Sequence, residues 1–135
     1  MNAFIVELTN KAGELARVTE AIAQKGIDVT GFAGATSGDR GSVVLLTNDE
    51  EGTRRALGEA HATVREVEIV PASLENRPGS LAAAARRLAD AGVNIDGAMP
   101  IGMIGDKVTV AFATSDAAKA RIALGEAALE GSRPR

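Results

Sequence analysis

The chain has 135 residues, 45% of them apolar and 24% charged, and reads as a soluble chain of one domain or two very small ones. A net charge of -3 offers no cationic face for nucleic acid, and the absence of cysteine removes disulfides and thiolate chemistry. The single histidine, His61, cannot make a zinc site alone, so no metal or other cofactor is expected. No basic-then-apolar leader pattern and no membrane-length apolar run is legible; no membrane partner is expected, and a cytoplasmic location is the default.

In chain order, Phe4, Val6 and Leu8 alternate with Ile5 and Glu7, which predicts a first strand. A turn at Asn10 leads to a helix with Leu15, Val18 and Ile22 on one face, stopped by Gly26 as a glycine just past a helix end does. Ile27, Val29 and Gly31 against Asp28 and Thr30 predict a second strand. "GFAGATSGDRG" then runs between two strands. Phosphate cradles run from a strand directly into a helix with Gly-Lys-Ser/Thr or a spaced glycine triplet, so this stretch reads as a hairpin loop. "SVVLLT" predicts a third strand, and a helix follows over roughly 50–60.

Residues 62–74, "ATVREVEIVPASL", must close this unit and open the next, which predicts one long, shared or directly continuous strand. The order then recurs. Val70, Ala72 and Leu74 form a strand, Asn-Arg-Pro-Gly turns it, and Leu81, Ala85 and Leu88 face one way on a helix that Gly92 ends. Val93, Ile95 and Gly97, a glycine loop over Gly102–Gly105, "KVTVAFA" and a helix over 116–128 complete it. Only "EGSRPR" remains after that helix, so the second unit is expected to lack its closing strand and to end in a mobile tail at about 130–135. Without that neighbour its first strand becomes an edge, which Pro71 suits because proline lacks a ladder N–H. An open edge invites another chain, so a homodimer is expected.

The recurrence is a duplication. A shift of 66 places Leu8 on Leu74, Asn10 on Asn76, Gly13 on Gly79, Leu15 on Leu81 and Gly26 on Gly92; a shift of 67 superposes "ALGEA" at 56–60 on "ALGEA" at 123–127. The matches fall at turn glycines and core positions, as in a repeated structural unit. Two repeats are expected, 1–68 and 69–135, each in the split βαβ order of a ferredoxin-like fold: α+β, antiparallel sheets with helices on one face. Units this small bury little of their unfolded surface, so the copies are expected to bury apolar surface together and unfold as one. RNA-binding sheets of this fold stack bases on strand aromatics, but only Phe4, Phe32 and Phe112 are present, so that reading fails.

An N-x-P-G-x-L turn after a first strand, a helix with a small-residue face, and G-V/I-N-I opening the second strand together resemble the ACT domain. "ENRPGSLAAAARRLADAGVNI" is a close match and "TNKAGELARVTEAIAQKGIDV" a looser one, so the whole chain resembles a small tandem ACT protein. The resemblance implies a non-enzymatic regulatory module whose domains pair and bind an amino-acid effector between them, with a metabolic enzyme or regulator as a further partner. An assembly module with a vestigial cleft, or a regulatory subunit with no ligand of its own, is the alternative. No nucleophile–base pair is legible for a catalytic reading.

A helix start leaves backbone N–H groups without partners and favours an anion, which suits an effector carboxylate. The resemblance places the effector-contacting asparagine at Asn76 and Asn10, although asparagine before a helix is also a common turn and capping residue. The candidate binding residues are Asn76, Arg77, Pro78, Gly79, Ser80 and Leu81, with Asn94 and Ile95 reaching across the paired domains. In the first copy they are Asn10, Gly13, Glu14 and Leu15, with Asp28 and Val29. Pro78 is expected to preset the first helical turn, and Gly13 and Gly79 to let a ligand approach the backbone. Glu14 competes with a carboxylate, and Ala12 stands where the family prefers proline; the second turn is the expected main site.

Overall fold

A computed structural model describes residues 1–129. The elements are β1 (Asn2–Thr9), α1 (Glu14–Ala23), β2 (Val29–Ser37), β3 (Arg40–Thr47), α2 (Glu50–Glu59), β4 (Val64–Glu75), α3 (Ser80–Asp90), β5 (Ile95–Ile104), β6 (Lys107–Thr114) and α4 (Ala117–Leu124), then a 3₁₀ turn over Gly125–Ala127. They divide into two compact units. One spans Asn2–Glu66, and the other runs from Val67 onward and takes in Met1. The boundary falls inside β4, a single strand of 12 residues, so the junction is the continuous strand that residues 62–74 call for.

In the first unit β3 lies between β1 and β2, antiparallel to both. The other side of β1 meets the chain entering β4, where the Glu7 N–H donates to the Thr63 carbonyl at 2.9 Å. Phe4, Val6 and Leu8 of β1 and Val43 and Leu45 of β3 close on Val18 and Ile22 of α1 and Ala56 and Leu57 of α2, one helical face against one face of the strands. The closing strand is pinned by charge. Arg54 donates to both Glu66 carboxylate oxygens at 2.7 Å, and the Asn2 side-chain amide adds a bond of 2.6 Å. Those bonds favour the carboxylate form and hold the Glu66 pKa down at about 2.

The second unit repeats the plan with β6 between β4 and β5. Val70, Ala72 and Leu74, Val110 and Phe112, Ala84 and Leu88, and Ala120 and Leu124 form its core. Where a closing strand would lie, the described residues hold one isolated bridge, Ala72 opposite Ala128, and the Leu129 N–H donates to the Pro71 carbonyl at 2.7 Å. In a strand the N and O of one residue point the same way, so the donor that Pro71 lacks is missing on this side and not from the ladder to β6. The expectation of a mobile tail falls on residues 130–135, which lie outside the described residues.

Four expectations change. Most of "GFAGATSGDRG" is strand, because β2 runs on to Ser37 and β3 starts at Arg40, leaving a turn at Gly38 and Asp39; likewise Gly102 lies within β5. Alternating small residues there still keep the ladder, and only the tip must reverse the chain. The helix expected over 116–128 ends at Leu124, because Gly125 adopts φ 58° and ψ -128°, a region almost confined to glycine. Leu15 and Leu81 are not core residues. They are 47% and 57% exposed, while Val18 and Ile22, and Ala84 and Leu88, fill the helix faces. Lastly, α3 starts at Ser80 with Gly79 as its cap, so Pro78 precedes the helix.

Candidate functional site

The four helices start in two ways. Asp49 and Asp116 cap α2 and α4, accepting from the Gly52 and Lys119 N–H groups at 2.9 and 3.1 Å. Helices α1 and α3 begin at Gly13 and Gly79 with no side-chain cap. These glycines sit at φ 91° and 89° with ψ near zero, and the N–H three residues after Lys11 and Arg77 returns to their carbonyls at 3.4 and 3.3 Å. That is a type II turn, whose third residue needs positive φ and whose second favours proline. Pro78 therefore serves the turn and not the helix, and Ala12 fills the same place in the first copy. Nothing lies within 4 Å of where a Cβ on either glycine would stand. In α3 the Ser80 and Ala83 N–H groups are used by Arg77 and Gly79; those of Leu81 and Ala82 find no partner among the described residues.

Each turn is tied to the hairpin tip beside it. The Asn10 N–H donates to the Asp39 carbonyl at 2.9 Å and the Asn76 N–H to the Asp106 carbonyl at 2.7 Å. The side chains then differ. The Asn10 amide donates to the Gly38 carbonyl at 2.8 Å, whereas the Asn76 amide makes no hydrogen bond among the described residues. Below each turn lies a groove of about 300 Å³. Asn10, Glu14, Leu15, Phe32 and Val43 line the first, and Asn76, Arg77, Ser80, Leu81, Ala98 and Met99 line the second. Glu14 pairs with Arg17 at 3.3 Å, and that guanidinium holds its carboxyl below the usual range. In the second groove Ser80 replaces it.

The structure gathers Asn76, Arg77, Ser80 and Leu81 in one groove and Asn10, Glu14 and Leu15 in the other. Pro78 and Gly79 face an adjoining hollow of about 530 Å³ beside Arg87 and Glu126, which shares Arg77 and Ser80 with that groove, and Gly13 lies on the helix side of its turn with Arg17. Asp28, Val29, Asn94 and Ile95 line neither turn groove. The Asp28 N–H donates to the Asn48 side chain at 3.0 Å and the Asn94 N–H to the Ser115 hydroxyl at 3.0 Å, fastening the two strand starts. Val29 and Ile95 pack on the cores. Phe32, Ala98, Met99 and Val108 line the grooves, and sequence reasoning misses all four. The available signal is Phe32, an aromatic out of phase with Val29 and Gly31 and 66% exposed.

A family model for the ACT domain matches residues 3–65. Residues 3–65 are an ACT domain. The second unit repeats the ACT order of elements, the same type II turn and the same groove, so the fold is duplicated over the chain. Among solved structures, protein BT0572 from Bacteroides thetaiotaomicron is similar at 27% identity and TM-score 0.73, over 91% of this chain and 85% of that one. The ligand-free regulatory subunit of aspartate kinase from Thermus thermophilus shares the fold at 20% identity and TM-score 0.63, over 93% and 91%. Aspartokinase alpha and beta subunits do so at 23% and 0.64, over 93% and 91%. No curated protein matches in sequence. Among the described residues no helix is long and apolar enough to cross a membrane.

Proposed function

We propose that this chain is a non-enzymatic regulatory module that binds an amino acid where ACT domains pair, chiefly at the turn from Asn76 to Leu81. The observation that carries the reading is the contrast in helix starts: α2 and α4 have aspartate caps, while α3 leaves the Leu81 and Ala82 amides open beside a groove. A carboxylate satisfies such amides and meets the favourable end of the helix dipole. The free Asn76 amide has both donor and acceptor for the ammonium or carboxylate. Asn94, exposed and outside its own unit's groove, is then available to a paired domain, whereas Ile95 is held against its own core. The likeness to aspartate kinase regulatory subunits supports a metabolic enzyme as the partner that carries the output.

A screen of amino acids for thermal stabilisation tests this, since a ligand that binds only the folded state at 100 times its Kd adds about 2.7 kcal/mol. At least one amino acid is expected to raise Tm. Titration calorimetry is then expected to show Asn76→Ala weakening it about tenfold, a cost of about 1.4 kcal/mol, while Asn10→Ala leaves it within about twofold. The reverse ranking would move the site to the first turn. Gly79→Val is a poor probe, because φ 89° strains any side chain there. A ligand-free assembly module is the second reading, favoured by Met103 and Ile104, 62% and 81% exposed at the β5 end. It takes over if no amino acid raises Tm.

A further inference from the structure

We infer that the groove below the Asn76–Leu81 turn selects amino acids with uncharged aliphatic side chains; this rests on the amino-acid reading above. With the carboxylate on the α3 amides, the ligand side chain meets the rest of the groove, and its composition is one-sided. Leu74, Met99 and Val110 are 7%, 1% and 8% exposed and belong to the lining, with Ala98, Pro100 and Val108 beside them. Every one of these is apolar. The two charges present, Glu75 and Arg77, sit 2.6 Å apart in their own ion pair, so each is already matched. A lysine or aspartate side chain would shed hydration there without gaining a partner, which is costly. Leucine, isoleucine, valine or methionine would lose nothing and cover apolar surface.

The first groove differs at several aligned positions, two of which bear on the ligand side chain. Glu14 stands where the second copy has Ser80, and Phe32 where it has Ala98. Ala98 is exposed, so it accepts substitution without disturbing the core, and it reports on the groove alone. A pocket of this kind discriminates weakly by one methylene or one hydroxyl, about 10- to 200-fold, so threonine is expected to follow valine at that distance and no further.

The test compares leucine, isoleucine, valine, methionine, threonine, lysine and aspartate by thermal shift and calorimetry on the full chain, with Ala98→Glu alongside. Aliphatic amino acids are expected to bind at least tenfold tighter than lysine or aspartate, and Ala98→Glu to lose at least tenfold for them with an unchanged far-ultraviolet spectrum. Tighter binding of lysine or aspartate overturns this inference and leaves the amino-acid reading standing. Aliphatic binding untouched by Ala98→Glu also overturns it, because the ligand then lies elsewhere. If no amino acid binds, the amino-acid reading itself fails.

Discussion

The pentapeptide ALGEA occurs in both units with one set of letters and two backbones. At 56–60 its first four residues continue α2 to Glu59, and the helix closes through Ala60 and His61, whose φ of 55° lets the Ala62 N–H return to the Leu57 carbonyl at 3.0 Å. At 123–127 the helix ends at Leu124, and Gly125 turns the chain into a 3₁₀ segment that delivers Ala128 to Ala72. The leucine is fully buried in both. The units differ in the next segment of chain, which forms a closing strand in the first and, among the described residues, a single bridge in the second. The pentapeptide is the same, so the residues that flank it and the tertiary destination of the chain decided the backbone.

The sharpest way to break that comparison is to replace the two glycines. Gly125 holds a backbone that alanine adopts only with strain, so Gly125→Ala is expected to destabilise by about 1–3 kcal/mol. Gly58 is helical with open space around it, so Gly58→Ala is expected to stabilise by about 0.5–1 kcal/mol. Urea midpoints of opposite sign would sustain the account, and equal shifts would end it.

A smaller contrast concerns the threonines that end β3 and β6. Thr47 and Thr53 share a hydrogen bond of 2.7 Å. Ala120 stands in place of Thr53, and the buried hydroxyl of Thr114, a residue 5% exposed, has no partner among the described residues. Thr114→Val is expected to stabilise by about 1 kcal/mol and Thr47→Val to destabilise by a similar amount. Thermal melts that rank the two the other way would show that the orphaned hydroxyl carries no cost.

The smallest effect is confined to acid. Glu66 has its pKa lowered to about 2 by Arg54 and Asn2, against an ordinary value of 4.5 when unfolded. Between those values the unfolded chain binds the extra proton, so the contribution of Glu66 is complete above pH 4.5 and fades as pH falls towards 2. Glu66→Gln is expected to flatten that acid limb of stability while leaving the slope above pH 6 unchanged. Because Glu66 belongs to the first unit, amide exchange at pH 3 is expected to rise in β1 before β6.

The duplication, the ferredoxin-like order and the shared strand at 62–74 are legible in the sequence because each depends on periodicity and turn residues, which act over a few positions. The turns at Asn10 and Asn76 are legible too, although Pro78 reads as the start of the helix when it belongs to the type II turn that the Pro-Gly pair specifies. The exposure of Leu15 and Leu81 is not legible. Both fit the helical stripe with the core residues, and only the approach of β2 and β5 shows that the stripe stops one turn short and overhangs a groove.

By itself, then, the order of residues determined which segments become strands and helices and where the chain must turn after β1 and β4. Those are outcomes of backbone sterics and local hydrogen bonding. Only the tertiary structure decided that Ala98 and Met99 sit beside Asn76, that Asp28 and Asn94 fasten strand ends instead of lining their own groove, and that one ALGEA stays helical while the other breaks. Each depends on strands distant in sequence arriving side by side, and burial and close packing, not local preference, select among the conformations that the same few residues can adopt.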